Sequence, residues 1–460
     1  MNFNSVTEDH LRDLRSMVEP DRFSTGESNL ELHSKDESQH LPVRPEVVMW
    51  PTDKREVSEI LKYANQHMLP VTGWGAGTSL EGNPIPVRGG IVLDFSRMNR
   101  IVQVREQDFQ ADVEPGVVYR DLNKNLRHKG LFFPPDPGAS ATIGGMIANN
   151  ASGIRTVRYG STRANVLRLT VVRANGEIVK IGCRASKTSS GYDLKNIFVG
   201  SEGTLGIVVE ATVRLRGLPE EFLTAMATFP SVKAAGNAVF EIMRSGLDPA
   251  SMELLAPECI EIINKEKALG LQVAPTIFME FHGPSKNQLT ETIQMAHDIS
   301  DDMGCHDFRP GIGIKERNEF VSARYDLAEM LKRNHPGRSH MVIDVAVPIS
   351  AYPEMIAFAS EESQKAGIPG YTFSHAGDGN LHQVFMGKIG DKKEWVLIDQ
   401  INERIVSKAL AMDGTATGEH GVGIGKRKFM QAEHGDSLVL MKNIKNMLDP
   451  NGILNPDKMF

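Results

Sequence analysis

Four polar side chains toward the C-terminus have the types and spacing for metal-assisted proton chemistry. His375 and His382 flank the glycine-broken stretch Ala376-Gly377-Asp378-Gly379-Asn380-Leu381, and Glu419-His420 stands between Gly418 and Gly421. Imidazole and carboxylate are the usual ligands of a borderline divalent ion, and three protein ligands leave positions open for water or substrate. His375, His382 and Glu419 are therefore a candidate ligand set, with His420 as a fourth group beside it. On a helix, histidines at this spacing would lie two turns apart, roughly 10 Å along the axis, and could not share one ion. The glycines predict instead a hairpin, with a Gly377–Asn380 turn and a return strand through Val384-Phe385, which brings the two rings together. Adjacent side chains of an extended segment diverge, so Glu419 can ligate while His420 points past it to a bound substrate.

The elements that must position these groups are legible in outline. A helix is predicted over about Thr7–Val18, followed by a polar stretch to about His40 with little periodicity, read as a covering arm. After Val47-Val48-Met49-Trp50, Thr52 is placed to cap a helix whose Val57, Ile60, Leu61 and Ala64 fall at helical spacing, and Pro70-Val71-Thr72 resumes as a strand, a β-α-β unit. Further strands are predicted at 90–94, 110–113 and 167–172, and Asn175-Gly176 is a hairpin turn before 178–181. The glycine-rich texture stops near Gly217-Leu218-Pro219, where a domain boundary is expected. Leu438, Met441, Ile444, Met447 and Leu448 suit an amphipathic closing helix that ends at Asp449-Pro450-Asn451-Gly452.

Composition narrows the function classes. The chain has 460 residues, 40% of them hydrophobic and 24% charged, as in an ordinary globular protein of two or three domains. A net charge of −7 without long basic runs argues against nucleic acid as a partner. No stretch approaches the ~20 apolar residues of a membrane span, and the N-terminal sequence lacks an apolar signal region, so a cytoplasmic protein is expected. Cys183, Cys259 and Cys305 are too dispersed for disulfides, a cysteine zinc site or an iron–sulfur cluster. Any electron transfer must use another cofactor.

Glycines supply a candidate for it. Gly73, Gly75, Ala76, Gly77, Thr78 and Ser79 form a loop whose backbone amides are open to close approach, as a diphosphate requires. The loop matches neither the GxGxxG fingerprint nor the GxxxxGK[ST] pattern, so NAD and ATP are not the first expectations. Three more stretches, at 134–138, 142–150 and 200–207, pair small residues with hydroxyls or amides, as an extended buried polar ligand would need.

In order along the chain, PVTGWGAGTSLEG (70–82), PPDPGASATIGGMIANNASG (134–153), RYGSTRANV (158–166), SGYDLKNIFVGSEGTLGIV (190–208), DVAVPIS (344–350), SHAGDGNLH (374–382), GEHGVG (418–423) and LDPNGILNP (448–456) carry a resemblance. The chain resembles the FAD-linked D-2-hydroxyacid dehydrogenase branch of the vanillyl-alcohol oxidase/p-cresol methylhydroxylase flavoproteins, the branch of D-lactate dehydrogenase, the glycolate oxidase flavin subunit and D-2-hydroxyglutarate dehydrogenase. The resemblance implies an α+β fold: a two-subdomain FAD-binding domain plus an α+β cap with an antiparallel sheet. It divides the chain into an N-terminal helical arm (1–40), the FAD domain (41–218), the cap (219–415) and a C-terminal segment returning to the flavin (416–460). It assigns the pyrophosphate to the loop from Gly73 to Ser79. Pro135, Gly144, Gly145, Asn149, Ser152 and Gly153 would contact the flavin and ribityl chain, with Glu202 and Ile207 toward the adenosine. The loop lacks the histidine that often tethers flavin in covalent relatives, so non-covalent FAD is expected.

The implied reaction is oxidation of a small 2-hydroxy acid, D-lactate or glycolate ahead of D-2-hydroxyglutarate. The hydride passes to flavin N5, and Zn²⁺ or Mn²⁺ on His375, His382 and Glu419 acidifies the hydroxyl. His420 is the general base, and Arg324 pairs with the substrate carboxylate. Lys332, Arg333 and His335 are second candidates for that anion. The sequence stops at Phe460 with no electron-transfer domain in view, so a quinone, an electron-transfer flavoprotein or an iron–sulfur subunit is expected as acceptor. Peripheral membrane association and a homodimer are left open. Two other classes fit parts of the pattern: a non-haem iron oxygenase with a two-histidine, one-carboxylate triad, and a non-catalytic flavin subunit of a complex.

Overall fold

The computed structural model describes residues 3–311 and 314–460, so the first two residues of the N-terminal arm lie outside it. The polypeptide forms two compact units: residues 1–152, 160–218 and 419–460 make one, and residues 153–159 and 219–418 the other.

The first unit contains two main sheets. In one, Val47–Met49 and Val71–Trp74 both run parallel to Ile91–Asp94, which lies between them. The helix Lys54–Gln66 connects the outer two strands and buries Val57, Ile60, Leu61 and Ala64, the first three each worth up to ~1.5–3 kcal/mol when removed from water. Its cap is Asp53, not Thr52: the Asp53 carboxylate accepts from the Arg55 amide, while the Thr52 hydroxyl accepts from Arg22. A carboxylate one position nearer the first turn meets the orphan amides that a threonine further back cannot reach.

The polar stretch read as a covering arm is built into this sheet. Phe23–Ser24 pairs antiparallel with Val47–Met49, and Leu14, Val18 and Phe23 are buried in the same core. Sparse apolar residues sufficed because the partner strand supplies the pairing. The C-terminal tail adds to the opposite edge, where the Val71 amide donates to Ile453 and Asn455 donates back to Val71. The second sheet is antiparallel, in the order Ile101–Arg105, Gln110–Val113, Ile207–Arg214, Val166–Val172, Ile178–Gly182. The closing helix Ser437–Leu448 is less amphipathic than its pattern promised. Leu438 is buried and Met441, Ile444 and Leu448 pack partly, but Met447 is 66% exposed.

The other unit is a seven-stranded antiparallel sheet in the order Asp307–Pro310, Glu221–Thr228, Thr276–Gly283, Ser251–Leu255, Gly370–His375, Asn380–Lys388, Arg338–Ala346. Side chains alternate between its faces. One face presents Leu255, Phe278, Phe373 and Val384 to Phe320, Ala323 and Leu327 of the helix Ile314–Asn334. The opposite parity, including Leu254, Met279 and Phe385, is also buried, under helices such as Tyr352–Lys365 and Lys392–Ala411. Both faces are therefore covered. At one end of the first face the apolar row gives way to Glu280, Glu253, His375, His382 and Asp344, all nine-tenths buried or more.

Candidate active site

A cleft of about 930 Å³, including its open mouth, runs through the first unit, lined by the loop Gly73–Ser79 together with Gly145, Asn149 and Glu202. A second, more apolar cavity shares Gly73, Gly75, Gly145 and Glu202, and adds Gly144, Trp74, Phe95 and Ile207. The glycines are required by close approach: a Cβ on Gly75 would lie 2.4 Å from the Thr142 hydroxyl, and one on Gly77, which has φ +68°, 2.7 Å from the Trp74 ring. Pro135, Ser152 and Gly153 line neither cavity, and Gly153 belongs by its contacts to the sheet unit.

Glu419 and His420 stand on the wall of this cleft. The tail that carries them is held by groups from the glycine-rich stretches. The Asn149 amide donates to the His420 carbonyl at 3.2 Å, and the Glu202 carboxylate accepts from the Val422 and Gly423 amides at 2.6 and 2.9 Å. Burial pushes the Glu202 carboxyl up, against these two amide bonds. Asn149 and Glu202 thus have a role that the sequence did not disclose, fixing the segment that presents His420. Gly421 and Gly423 follow from the same packing, since a Cβ at Gly421 would lie 2.8 Å from Glu202 and one at Gly423 2.1 Å from the Glu81 carbonyl.

In the sheet unit the expected hairpin is present. Gly370–His375 returns as Asn380–Lys388 through a short 3-10 turn, with His375 opposite Asn380 and Phe373 opposite His382. His375 and His382 are therefore diagonal on one face, their ring centroids 5.1 Å apart and nearly perpendicular. Gly379, at φ +70°, permits the turn, since a Cβ there would meet the Val347 carbonyl at 2.2 Å. Asp344 faces His382 across the strand pair, 3.5 Å from its Nδ1, and accepts from Asn380 and Thr417. The buried Oδ1 of Asn380 has no hydrogen-bond partner among the described residues. An acceptor left so beside two imidazoles fits a site that takes a polar ligand, and the donor chemistry fits a borderline divalent ion.

Arg324 does not stand alone as an anion receptor. Its Nε donates to Glu253 at 2.8 Å, and its guanidinium lies 4.5 Å from the Phe373 ring centroid. Glu253 reaches His375 Nδ1 at 2.6 Å with its other oxygen. Lys332, Arg333 and His335 are engaged elsewhere, with Glu329, Glu266 and Tyr371. Glu253 was missed in the sequence, as was Glu280 on the next strand. The available signal was a lone acid at an inward position of an otherwise apolar strand, in Ser-Met-Glu-Leu-Leu and in Phe-Met-Glu-Phe-His.

The chain matches the FAD binding domain model over residues 45–182 and the model of the FAD linked oxidase C-terminal domain over residues 218–459. It belongs to the FAD-linked oxidases. Within them it falls in the D-2-hydroxyacid dehydrogenase branch: it is 40% identical over 450 residues to the probable mitochondrial D-lactate dehydrogenase of Danio rerio, covering 97% of this chain and 90% of that one. It is 34% identical over 460 residues to the glycolate oxidase subunit GlcD of Bacillus subtilis, with 99% and 97% covered. A crystal structure of p-cresol methylhydroxylase with substrate bound superposes with a TM-score of 0.80 at 16% identity, covering 99% and 98%. This family shares the α+β flavoprotein fold, and FAD is its cofactor. Among the described residues no helix is long and apolar enough to cross a membrane.

Proposed function

We propose that the protein oxidises a small D-2-hydroxy acid, D-lactate or glycolate, to the 2-oxo acid and passes the electrons to an external acceptor. The observation that carries this reading is the placement of His420 on the wall of the cleft formed by the glycine loop, within a family that binds FAD. Bound FAD supplies the hydride acceptor. His420 is the general base that takes the hydroxyl proton. His375, His382 and Glu419 are proposed to hold a divalent ion, Zn²⁺ or Mn²⁺, which would lower the pKa of the substrate hydroxyl. Arg324, oriented by Glu253, is proposed to turn its terminal nitrogens to the carboxylate.

Anaerobic addition of D-lactate or glycolate should bleach the flavin absorbance, and His420→Ala should slow that bleaching by about 10²–10⁴-fold. Absence of bleaching with every member of a D- and L-hydroxy-acid panel would sink the proposal. Oxygen- and 2-oxoacid-dependent turnover without flavin would point to the iron-oxygenase class instead. Denaturation should release the flavin into the supernatant, because we propose that it is held non-covalently.

A further inference from the structure

Glu253 touches both a proposed metal ligand and the proposed carboxylate anchor. It lies directly opposite His375 in the antiparallel pair of Ser251–Leu255 with Gly370–His375, and its side chain is 3% exposed. One oxygen is 2.6 Å from His375 Nδ1, and the other accepts from Arg324 Nε at 2.8 Å. We infer that Glu253 is the positioning residue of the site, setting the tautomer of His375 and the plane of Arg324 together. The inference rests on the metal-assisted reading above.

Glu253 acts through proton placement and geometry. A neutral imidazole carries one N–H, and a carboxylate accepts but cannot donate, so the contact with Glu253 keeps the proton on Nδ1. The lone pair then resides on Nε2, the nitrogen that must face an ion for His375 to ligate. Without Glu253 the Nδ1 proton would lose that acceptor, and the tautomer that presents Nε2 would be less favoured. On the other side, the bond from Arg324 Nε holds the guanidinium beside the Phe373 ring. One buried acid therefore links metal affinity to substrate affinity.

The bland alternative is that Glu253 only ties a strand to a helix. The same sheet provides its control. Glu280, on the adjacent strand, joins His282 to Arg317 in the same way, with His282 Nε2 at 2.7 Å and Arg317 Nε at 2.8 Å, yet no ligand role is proposed for His282. A general loss of packing would follow from either glutamate, whereas loss of metal binding should follow from Glu253 alone.

The test uses FAD-loaded enzyme stripped of divalent ions and titrated with Zn²⁺ and with Mn²⁺, with bound metal measured by mass spectrometry after gel filtration. Flavin content and melting temperature are followed in parallel. Glu253→Gln should weaken Zn²⁺ binding by about 10–100-fold and raise KM for D-lactate. Glu253→Asp, which keeps the charge on a shorter reach, should fall between it and the wild type and remains informative if the Gln variant does not fold. Glu280→Gln should leave Zn²⁺ affinity within about twofold of the wild type. Wild-type affinity in both Glu253 variants, or an equal loss in Glu280→Gln, overturns the inference while leaving the metal reading intact. If the wild type takes up no metal, or His375→Ala retains it, the metal reading fails and this inference with it.

Discussion

Two histidines of the second unit are each bonded to a buried glutamate that pairs with an arginine, and they differ in the rings and hydroxyls around them. His375 and His282 each bond a buried glutamate, on the neighbouring strands Ser251–Leu255 and Thr276–Gly283, and each glutamate pairs with an arginine of the helix Ile314–Asn334. Arg317 and Arg324 lie about two turns apart on that helix. Glu280 takes Nε2 of His282, and the Tyr159 hydroxyl closes Nδ1 at 2.8 Å, so both ring nitrogens are satisfied within the protein. Glu253 takes Nδ1 of His375, and the ring stands 5.1 Å from His382. A His–Glu–Arg arrangement is therefore not in itself a site. A tyrosine at the far nitrogen makes it a brace, and a second imidazole beside it makes it a candidate ligand.

The largest expected difference between the two is catalytic. His375→Ala should slow anaerobic flavin reduction by on the order of 10³-fold, since the charge stabilisation supplied by a bound ion is worth several kcal/mol. His282→Ala should change the same rate by less than about tenfold while lowering the melting temperature. Comparable rate losses in both would erase the distinction.

A smaller effect separates them in acid. Burial disfavours the Glu280 carboxylate, but the hydrogen bond with His282 and the charge of Arg317 more than offset it and hold the carboxyl down to about 2. Because this pKa is depressed in the folded state, its stabilisation is present above the unfolded value of 4.5 and is lost as pH falls toward about 2. The contribution is on the order of 3 kcal/mol, and Glu280→Gln should flatten the dependence of unfolding free energy on pH across that window. An unchanged acid slope in urea titrations would show that Glu280 does not carry it. The smallest expected effect is that of Tyr159→Phe. It removes one partly buried hydrogen bond, should cost about 1 kcal/mol, and should leave Zn²⁺ uptake untouched; loss of metal in this variant would argue that the two histidines share one function.

The legibility of these features followed their range in sequence. The hairpin carrying His375 and His382 was readable because its glycine turn and both strands lie within a short stretch, and register follows once the turn is set. The glycine loop and the strands at 91–94 and 110–113 were readable for the same reason. Misreadings occurred where a distant partner decided the outcome. The polar stretch before residue 40 became a sheet edge because Val47–Met49 was there to pair with it. Met447 stayed exposed because apolar periodicity states which face a helix could bury, and only neighbouring elements state how much of that face is covered.

Residue types and local spacing alone determined the candidate ligands, the candidate proton acceptor, the open backbone loop and, through the ordered motifs, the flavoprotein family. Tertiary structure alone decided that Glu253 lies between His375 and Arg324, and that Asn149 and Glu202 hold the tail bearing His420. The reason is physical: a ligand type is a property of one side chain, whereas its tautomer, orientation and charge state belong to partners brought together from 71 to 271 residues away.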